Sequence, residues 1–394
     1  MPVLEPFAIV CKQRVPLRRH VANKTRARVL FLSMYHLGWK TWTRCLERHT
    51  PHCPELDAVH VHVVQPLWMK LLNRPLPAFG RALLSPARAW RWHVHRHVTP
   101  LILRGEFDAV FVNSQMLAPG LIEPCRTTGT KLMVCTDVTG PAYMRDLLDQ
   151  PSTARSWREE RAIFSACSLV VPMSGWIEES LVRDFNVPRA RITVVPPVID
   201  LAVSRPTNGG KPSATGGLPR LLFCGNDWRR KGGPRLVQWH HKHWRDLAEL
   251  HIVSKDADVR PGLKNVVCHG AVPNERMLDE ILPAADVFCL PTTSDMSPFA
   301  VTEAQGFGVP TVASKIGGMA NLVQHGKTGY LIPPHDEEGF VFAVSSLLRD
   351  ADLRATMGRA AAEHARSHLD AGVLIPRLLS RIASEALAPN PLRS

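Results

Sequence analysis

Between Met296 and Ser314 the chain carries one charged residue, Glu303, in a run of apolar, small and uncharged polar side chains. The stretch Asp295-Met-Ser-Pro-Phe-Ala-Val-Thr-Glu303 predicts a helix start. Ser297 suits the cap and Pro298 the first turn. The amides of Phe299, Ala300 and Val301 then stand open at a helix N-terminus, an anion site built from backbone donors and the helix dipole. Glu303 follows Phe299 by four residues and shares its face. A lone carboxylate in such surroundings needs partners. The hydroxyls of a nucleotide ribose suit it, because a carboxylate accepts two hydrogen bonds well. Upstream, Arg229, Arg230 and Lys231 are three consecutive cations between the strand-like run Leu221–Gly225 and the pair Gly232-Gly233. A guanidinium fork and a compact ammonium together neutralise a diphosphate whose oxygens approach a helix start.

The elements that must hold these groups are short apolar runs alternating with helical stretches. In the first half the runs are 28–33, 58–64, 108–114, 131–137, 168–174 and 191–196, with helices over 157–165 and 176–185. Most runs are continuously apolar, as in a parallel sheet covered on both faces. The stretch 201–219 is rich in Gly, Pro, Ser and Thr and reads as a linker. Strands are then expected at 220–225, 249–254, 265–269, 286–291 and 309–314. Helices are expected at 233–245, 274–282, 298–305, 337–349, 351–367 and 371–387. This is an α/β chain of two Rossmann-like domains facing a cleft. Its parts are a basic arm 1–26, a first domain 27–200, the linker, a second domain 220–370 and a C-terminal helix and tail 371–394 that packs back towards the first domain. Ligands in such folds sit beyond the carboxyl ends of the strands.

The segment from Asp295 to Glu303 resembles the signature of the retaining GT-B glycosyltransferases of family 4, two acidic residues with seven residues between them. Gly317-Gly318 and Gly326–Pro334 resemble that family's closing segment. The resemblance implies a nucleoside-diphosphate sugar as donor, of UDP or GDP type, with no metal and no other cofactor. It implies catalytic roles for Arg230, Lys231, Asp295 and Glu303: Glu303 on the ribose, Asp295 on sugar hydroxyls, the cations on the departing diphosphate. The family's first Arg position holds Asn226, so its contact passes to Arg230. The resemblance also places Gly38 near the donor, and His269 and Gly270 where the base is cradled. Phe299, Ala300 and Val301 complete the donor-binding set. Asp137, after the strand run 131–137, is a candidate for a sugar or acceptor hydroxyl and equally for a helix cap.

The chain has 394 residues, 45% hydrophobic and 21% charged, enough for two buried cores and too ordered a composition for a disordered chain. No run of about 18 apolar residues suggests a membrane span. The net charge of +13 belongs to the first 105 residues, which hold 17 basic and 4 acidic side chains; the remainder is balanced. Residues 65–100 mix Arg and Lys with Trp68, Phe79, Trp90 and Trp92, a composition suited to an anionic membrane surface. Nucleic acid is disfavoured, since no RNA-binding motif accompanies the charge. The nine scattered cysteines read as reduced core residues of a cytoplasmic protein, and the basic stretch 65–100 suggests a peripheral place at the inner face of the membrane. Asp256-Ala-Asp258 imitates a metal motif of another fold and is set aside. The expected activity is transfer of a hexosyl-type sugar to a glycan or lipid-linked acceptor of the cell envelope. The alternatives are a nucleotide-sugar epimerase of the same architecture and a basic scaffold without catalysis.

Overall fold

The computed structural model describes residues 9–11, 25–34, 38–63, 92, 94–151, 157–204 and 217–389. Two six-stranded sheets organise them. The first holds β1 (Ile9–Cys11), β2 (Ala27–Met34), β3 (Leu56–Val63), β4 (Ala109–Val112), β5 (Lys131–Thr136) and β6 (Cys167–Pro172), in the order β1-β3-β2-β4-β5-β6. The second holds β7 (Arg220–Cys224), β8 (Glu249–Val253), β9 (Val266–Gly270), β10 (Val287–Leu290), β11 (Thr311–Ser314) and β12 (Gly329–Ile332), in the order β12-β11-β10-β7-β8-β9. All pairings are parallel except that of β1 with β3.

Parallel pairing needs long crossovers, and helices supply them. They are α1 (Gly38–His49), α2 (Ile122–Thr128), α3 (Arg158–Ala166) and α4 (Gly175–Phe185) around the first sheet. Around the second lie α5 (Gly233–Trp239), α6, α7 (Phe299–Gly306), α8 (Glu337–Arg349) and α9 (Ala351–His368). The helix α6 has three joined pieces, Asn274–Arg276, a π-helical turn Met277–Ile281, and Leu282–Ala284. Helices on both faces explain why β2, β4, β5, β10 and β11 are buried along their whole length. Local chemistry sets the helix starts: the side chains of Ser174, Asp336 and Asp350 each accept from an amide of the following turn.

The last helix, α10 (Ala371–Leu387), does pack back onto the first sheet, as expected. Its Ile375, Leu378, Leu379 and Ile382 are buried with Val29 and Phe31 of β2 and Trp42 and Leu46 of α1. Lys131 at the start of β5 donates to the carbonyls of Glu385 and Ala388, at 2.6 and 2.8 Å, and so closes the C-terminal end of α10. The second sheet therefore connects to the first twice, through 194–204 and through α10.

Four expectations change. Ile9–Cys11, placed in an irregular arm, is an edge strand. The run 191–196 forms no strand; Thr193 and Val195 donate to β6, but Pro196 and Pro197 lack the donors that would extend a ladder. The strand β12 went unanticipated, since four residues opening on Gly329 and followed by two prolines carry little strand signal. Among the described cysteines six are buried, Cys224 is half-buried and Cys268 is exposed, so they are not uniformly core. Residues 205–216 of the linker, and 65–91 and 93 of the basic stretch, lie outside the described residues.

Leu379 tests the α10 contact. Leu379→Ala removes a fully buried side chain between two elements far apart in sequence and should cost about 2–5 kcal/mol. Urea denaturation measures it, and a loss below 0.5 kcal/mol would mean α10 is not part of the first core.

Candidate active site

The loop after β7 is folded by close contacts that only glycine permits. Gly232 has φ +83°, and a Cβ there would lie 2.0 Å from the Pro291 carbonyl oxygen; a Cβ on Gly233 would meet the Trp228 ring. The loop is thereby pressed onto the end of β10. Thr293 donates its amide to the Arg230 carbonyl at 2.9 Å, and the Thr292 hydroxyl donates to the same oxygen at 3.2 Å. Two cations are consequently carried to Asp295. Lys231 Nζ lies 2.5 Å from Asp295 Oδ2, with both side chains largely buried, and Arg230 Nη1 lies 3.9 Å from the same oxygen. Arg230 is further held by Asp227 at 2.6 Å and by the Ser294 carbonyl. The Lys231 stem runs over Gly225, where a Cβ would sit 3.2 Å from it.

The helix α7 begins one residue later than expected. Pro298 is its N-cap and Ser297 caps nothing, its buried hydroxyl having no hydrogen-bond partner among the described residues. The reason is the backbone: Val301 donates to the Pro298 carbonyl at 3.1 Å, so the first turn closes on Pro298. Val301 is thus not an open donor, and Phe299 and Ala300 hold the open amides of the helix end. Gly317 and Gly318 fold back on this segment. Gly318 donates to the Met296 carbonyl at 2.7 Å, and a Cβ on Gly317 would lie 2.2 Å from the Asp295 carbonyl oxygen.

Glu303 lies one turn further along α7. Among the described residues no hydrogen bond or ion pair reaches its carboxylate, and burial lifts its pKa to about 7. It shares a neighbourhood with the cations. The Cys224 thiol at the end of β7, raised to about 12 by burial, feels Glu303 raising it further and Lys231 opposing the rise. Glu303 also lines a cavity of about 320 Å³ between the two halves. Thr41, Arg44 and Arg48 of α1 form one wall, Val198–Asp200 the second, and Asn274 and Leu278 of α6 the third.

The first half meets this site at two points. Gly38 opens α1 against the Phe299 ring, where a Cβ would lie 2.6 Å from the nearest ring carbon. Asp137, just beyond β5, has its pKa raised to about 6 by burial, with Asp295 across the gap adding to the rise. The cap of the following turn is Thr139, which leaves Asp137 facing the gap instead of ending a helix. Near α4 the amide of Gly175 donates to Asn321 Oδ1 at 3.1 Å, a second bridge between the halves that sequence reading missed for want of any local signal.

Two candidate residues fall elsewhere. Asn226 is exposed, and its side chain accepts from the Lys255 amide at 3.3 Å, tying the β7 loop to the β8 loop. His269 turns away from Glu303 and Lys231; its Nε2 lies 3.0 Å from His251 Nδ1. Gly270 next to it has φ +66°, the left-handed turn that ends β9. Asp256 accepts from the Asp227 amide at 3.0 Å and so braces the loop. Among the described residues no group of three His, Cys, Asp or Glu could hold a metal ion, and no helix is long and apolar enough to cross a membrane.

The raised Glu303 pKa makes stability depend on pH. A carboxyl raised in the folded state contributes fully below its unfolded pKa and loses that contribution as pH rises towards the folded value. The loss therefore accrues between about pH 4.5 and 7. Glu303→Gln should match the wild type near pH 4.5 and exceed it at pH 8 by on the order of 2 kcal/mol. Denaturant titrations at the two pH values check this, and equal stabilities at pH 8 would show an unperturbed carboxylate.

Known proteins resemble this chain in sequence and in fold. A family model for "Glycosyl transferases group 1" matches residues 218–350, and one for "Glycosyltransferase Family 4" matches residues 58–203. A D-inositol 3-phosphate glycosyltransferase of Paenarthrobacter aurescens is 29% identical over 287 residues, 67% of this chain and 70% of that protein. One of Arthrobacter sp. is 29% identical over 236 residues, 55% and 56% of the two chains, so the chain spans little more than half of that relative. The fold matches sucrose-phosphate synthase of Thermosynechococcus elongatus, with TM-score 0.71 and 17% identity over 92% of this chain and all of that one. It also matches Anabaena HepE in complex with UDP-glucose, with TM-score 0.64 and 16% identity over 91% and 100%. With both halves matched by the two models and the whole fold by solved structures, the chain belongs to the family 4, group 1 glycosyltransferases of the GT-B fold.

Proposed function

We propose that the protein is a retaining glycosyltransferase that moves a hexosyl residue from a nucleoside-diphosphate sugar to an acceptor hydroxyl. The observation that carries this reading is the joining of Lys231 and Arg230 at Asp295, with the unpartnered Glu303 one helix turn away from the open amides of α7. The diphosphate lies against Lys231, Arg230 and the amides of Phe299 and Ala300. Glu303 accepts from the ribose hydroxyls, which restores the partners that burial has removed. Asp295, freed in part from Lys231 as the phosphate binds, accepts from sugar hydroxyls.

The anomeric carbon–oxygen bond breaks, and its electron pair goes to the departing phosphate oxygen. The acceptor oxygen bonds to the same face, and its proton passes to the diphosphate. The cations stabilise the charge that grows on the leaving group, which is where fixed donors contribute most. Asp137 approaches from the first half towards the sugar or the acceptor. Contact of Gly38 with Phe299 brings the halves together over the donor and excludes water.

HepE, bound to UDP and UDP-glucose, supports a uridine nucleotide as the first donor to try. The relatives named for inositol 3-phosphate support a polyol phosphate as the first acceptor, ahead of a lipid-linked sugar. Peripheral attachment to an anionic membrane is a separate proposal. Within the basic stretch, Trp92 is half-exposed with Arg96 5.9 Å from its ring, a pairing suited to an interface.

Calorimetry with UDP and GDP, followed by transfer assays over a panel of nucleotide sugars, tests the activity. Lys231→Ala and Glu303→Ala should each lower turnover on the order of a hundredfold to a thousandfold. Undiminished transfer in both variants rejects the assignment. Epimerisation without an acceptor would identify the epimerase, and no saturable nucleotide binding would leave the scaffold.

A further inference from the structure

The second sheet carries a separate cavity of about 160 Å³ on its outer half, between the sheet and α6. Its lining is largely polar and charged. Arg220 comes from β7, His251 from β8, His269 from β9, and Arg276 and Glu280 from α6; Leu222, Ile281 and Ala284 supply the apolar floor. The two imidazoles stack, with ring centroids 5.2 Å apart and planes 26° apart, and hydrogen-bond at 3.0 Å. None of these residues belongs to the lining of the cavity that contains Glu303.

Four groups that are or can become cationic thus surround one small volume. The carboxylates facing them are Glu280, 3.1 Å from Arg276, and Glu249 of β8, 3.5 Å from Arg220 and 3.3 Å from His251. Both arginine pairs are exposed, with side chains between 38% and 66% accessible. Pairs this wet are worth little and yield readily to a competing anion. Burial holds both imidazoles below their ordinary pKa. For His251 the Arg220 charge adds to the lowering while Glu249 opposes it; for His269, His251, Arg276 and Arg220 all add to it. Two guanidinium groups and two carboxylates balance while the imidazoles are neutral, so protonation of His251 and His269 is what makes the cavity positive; it has room for a phosphate group.

The position of this cavity gives it a consequence. Arg276 and Glu280 lie on the same short helix as Asn274 and Leu278, which line the cavity beside Glu303. The π-helical turn Met277–Ile281 contributes to both linings, Leu278 to one and Glu280 and Ile281 to the other. Such turns are looser than α-helix and occur often at functional sites. We propose that this cavity is a second anion site for a phosphate or phosphomonoester, distinct from the donor cleft, and that its occupancy shifts α6 and so changes nucleotide affinity. The imidazoles gain protons as the anion enters, so the site tightens as pH falls. The binding claim stands without the proposed glycosyl transfer, and only the coupling claim rests on that reading.

The test uses the full chain with Lys231→Ala, which removes the diphosphate-binding ammonium. Sulfate, whose charge is constant over this range, is titrated at pH 6 and pH 8 while the histidine side-chain resonances are followed by NMR. The proposal expects saturable shifts of His251 and His269 and affinity at least fivefold tighter at pH 6. It expects their loss in Arg220→Ala/Arg276→Ala, whose exposed side chains leave the fold intact. His269→Gln gives a second check, retaining anion binding but flattening its pH dependence. Phosphate and glucose 6-phosphate are then compared: equal affinities identify the free ion, and tighter binding of the ester identifies the phosphomonoester. In the wild-type chain, saturating sulfate should change UDP affinity by threefold or more, and the Arg variant should abolish that change. Unshifted histidines, or shifts that survive the double Arg variant, overturn the site. Histidine shifts with unchanged UDP affinity overturn the coupling alone. Failure of UDP to bind at all counts against the donor reading and leaves the anion result standing.

Discussion

A lysine ammonium 2.5 Å from a mostly buried carboxylate is the contact on which the second half of this protein turns. Lys231 and Asp295 belong to loops 64 residues apart, and each is expensive to bury alone. Their pairing requires the β7 loop to lie flat on the end of β10. That in turn requires Gly232 in a left-handed conformation and Gly233 against Trp228. The pair therefore holds positive charge at a fixed place without the cost of an isolated buried ion. Two cations face two carboxylates here, Asp295 and the exposed Asp227, so an incoming anion has to compete with these pairings.

Glu303 is the complementary case. It has no partner among the described residues and is raised to about 7, whereas Asp295 a few residues earlier has two cations beside it. Two carboxylates on one short segment thus face opposite environments. The difference arises from the direction of α7, which carries Glu303 past the loop cations and into the space between the halves. A buried carboxyl without donors is a stability cost that persists only where something else makes use of it.

The two halves are joined at several separate points. The chain crosses between them at 194–204, and α10 returns to complete the first core. Small residues mark the other contacts: Gly38 against Phe299, Gly175 bonded to Asn321, Gly318 against Ser174. Each allows backbone or ring to approach more closely than a larger residue would. Across the gap between the halves, Asp295 adds to the burial that raises the Asp137 pKa.

Most of the alternation of strands and helices was legible in the sequence, because short continuous apolar runs bounded by turn residues and separated by helical stretches suit buried parallel strands. The sequence also singled out the Arg230–Lys231 and Asp295–Glu303 segments, whose Lys231 and Arg230 the fold brings to Asp295, because lone charges in apolar or glycine-bounded surroundings stand out locally. It misread Ser297 as a cap, since capping depends on which carbonyl the first turn closes upon, and it misplaced 191–196, whose prolines outweigh its valines. It could not direct His269 towards His251 or Asn226 towards Lys255, because a residue's face at a strand end follows from a bulge and a loop contact supplied by a neighbouring strand. Which acid is paired and which is stranded, and that Asp295 acts on Asp137 across the gap, were decided only by tertiary packing. Those facts depend on distances between residues far apart in the chain, and no local pattern encodes such a distance.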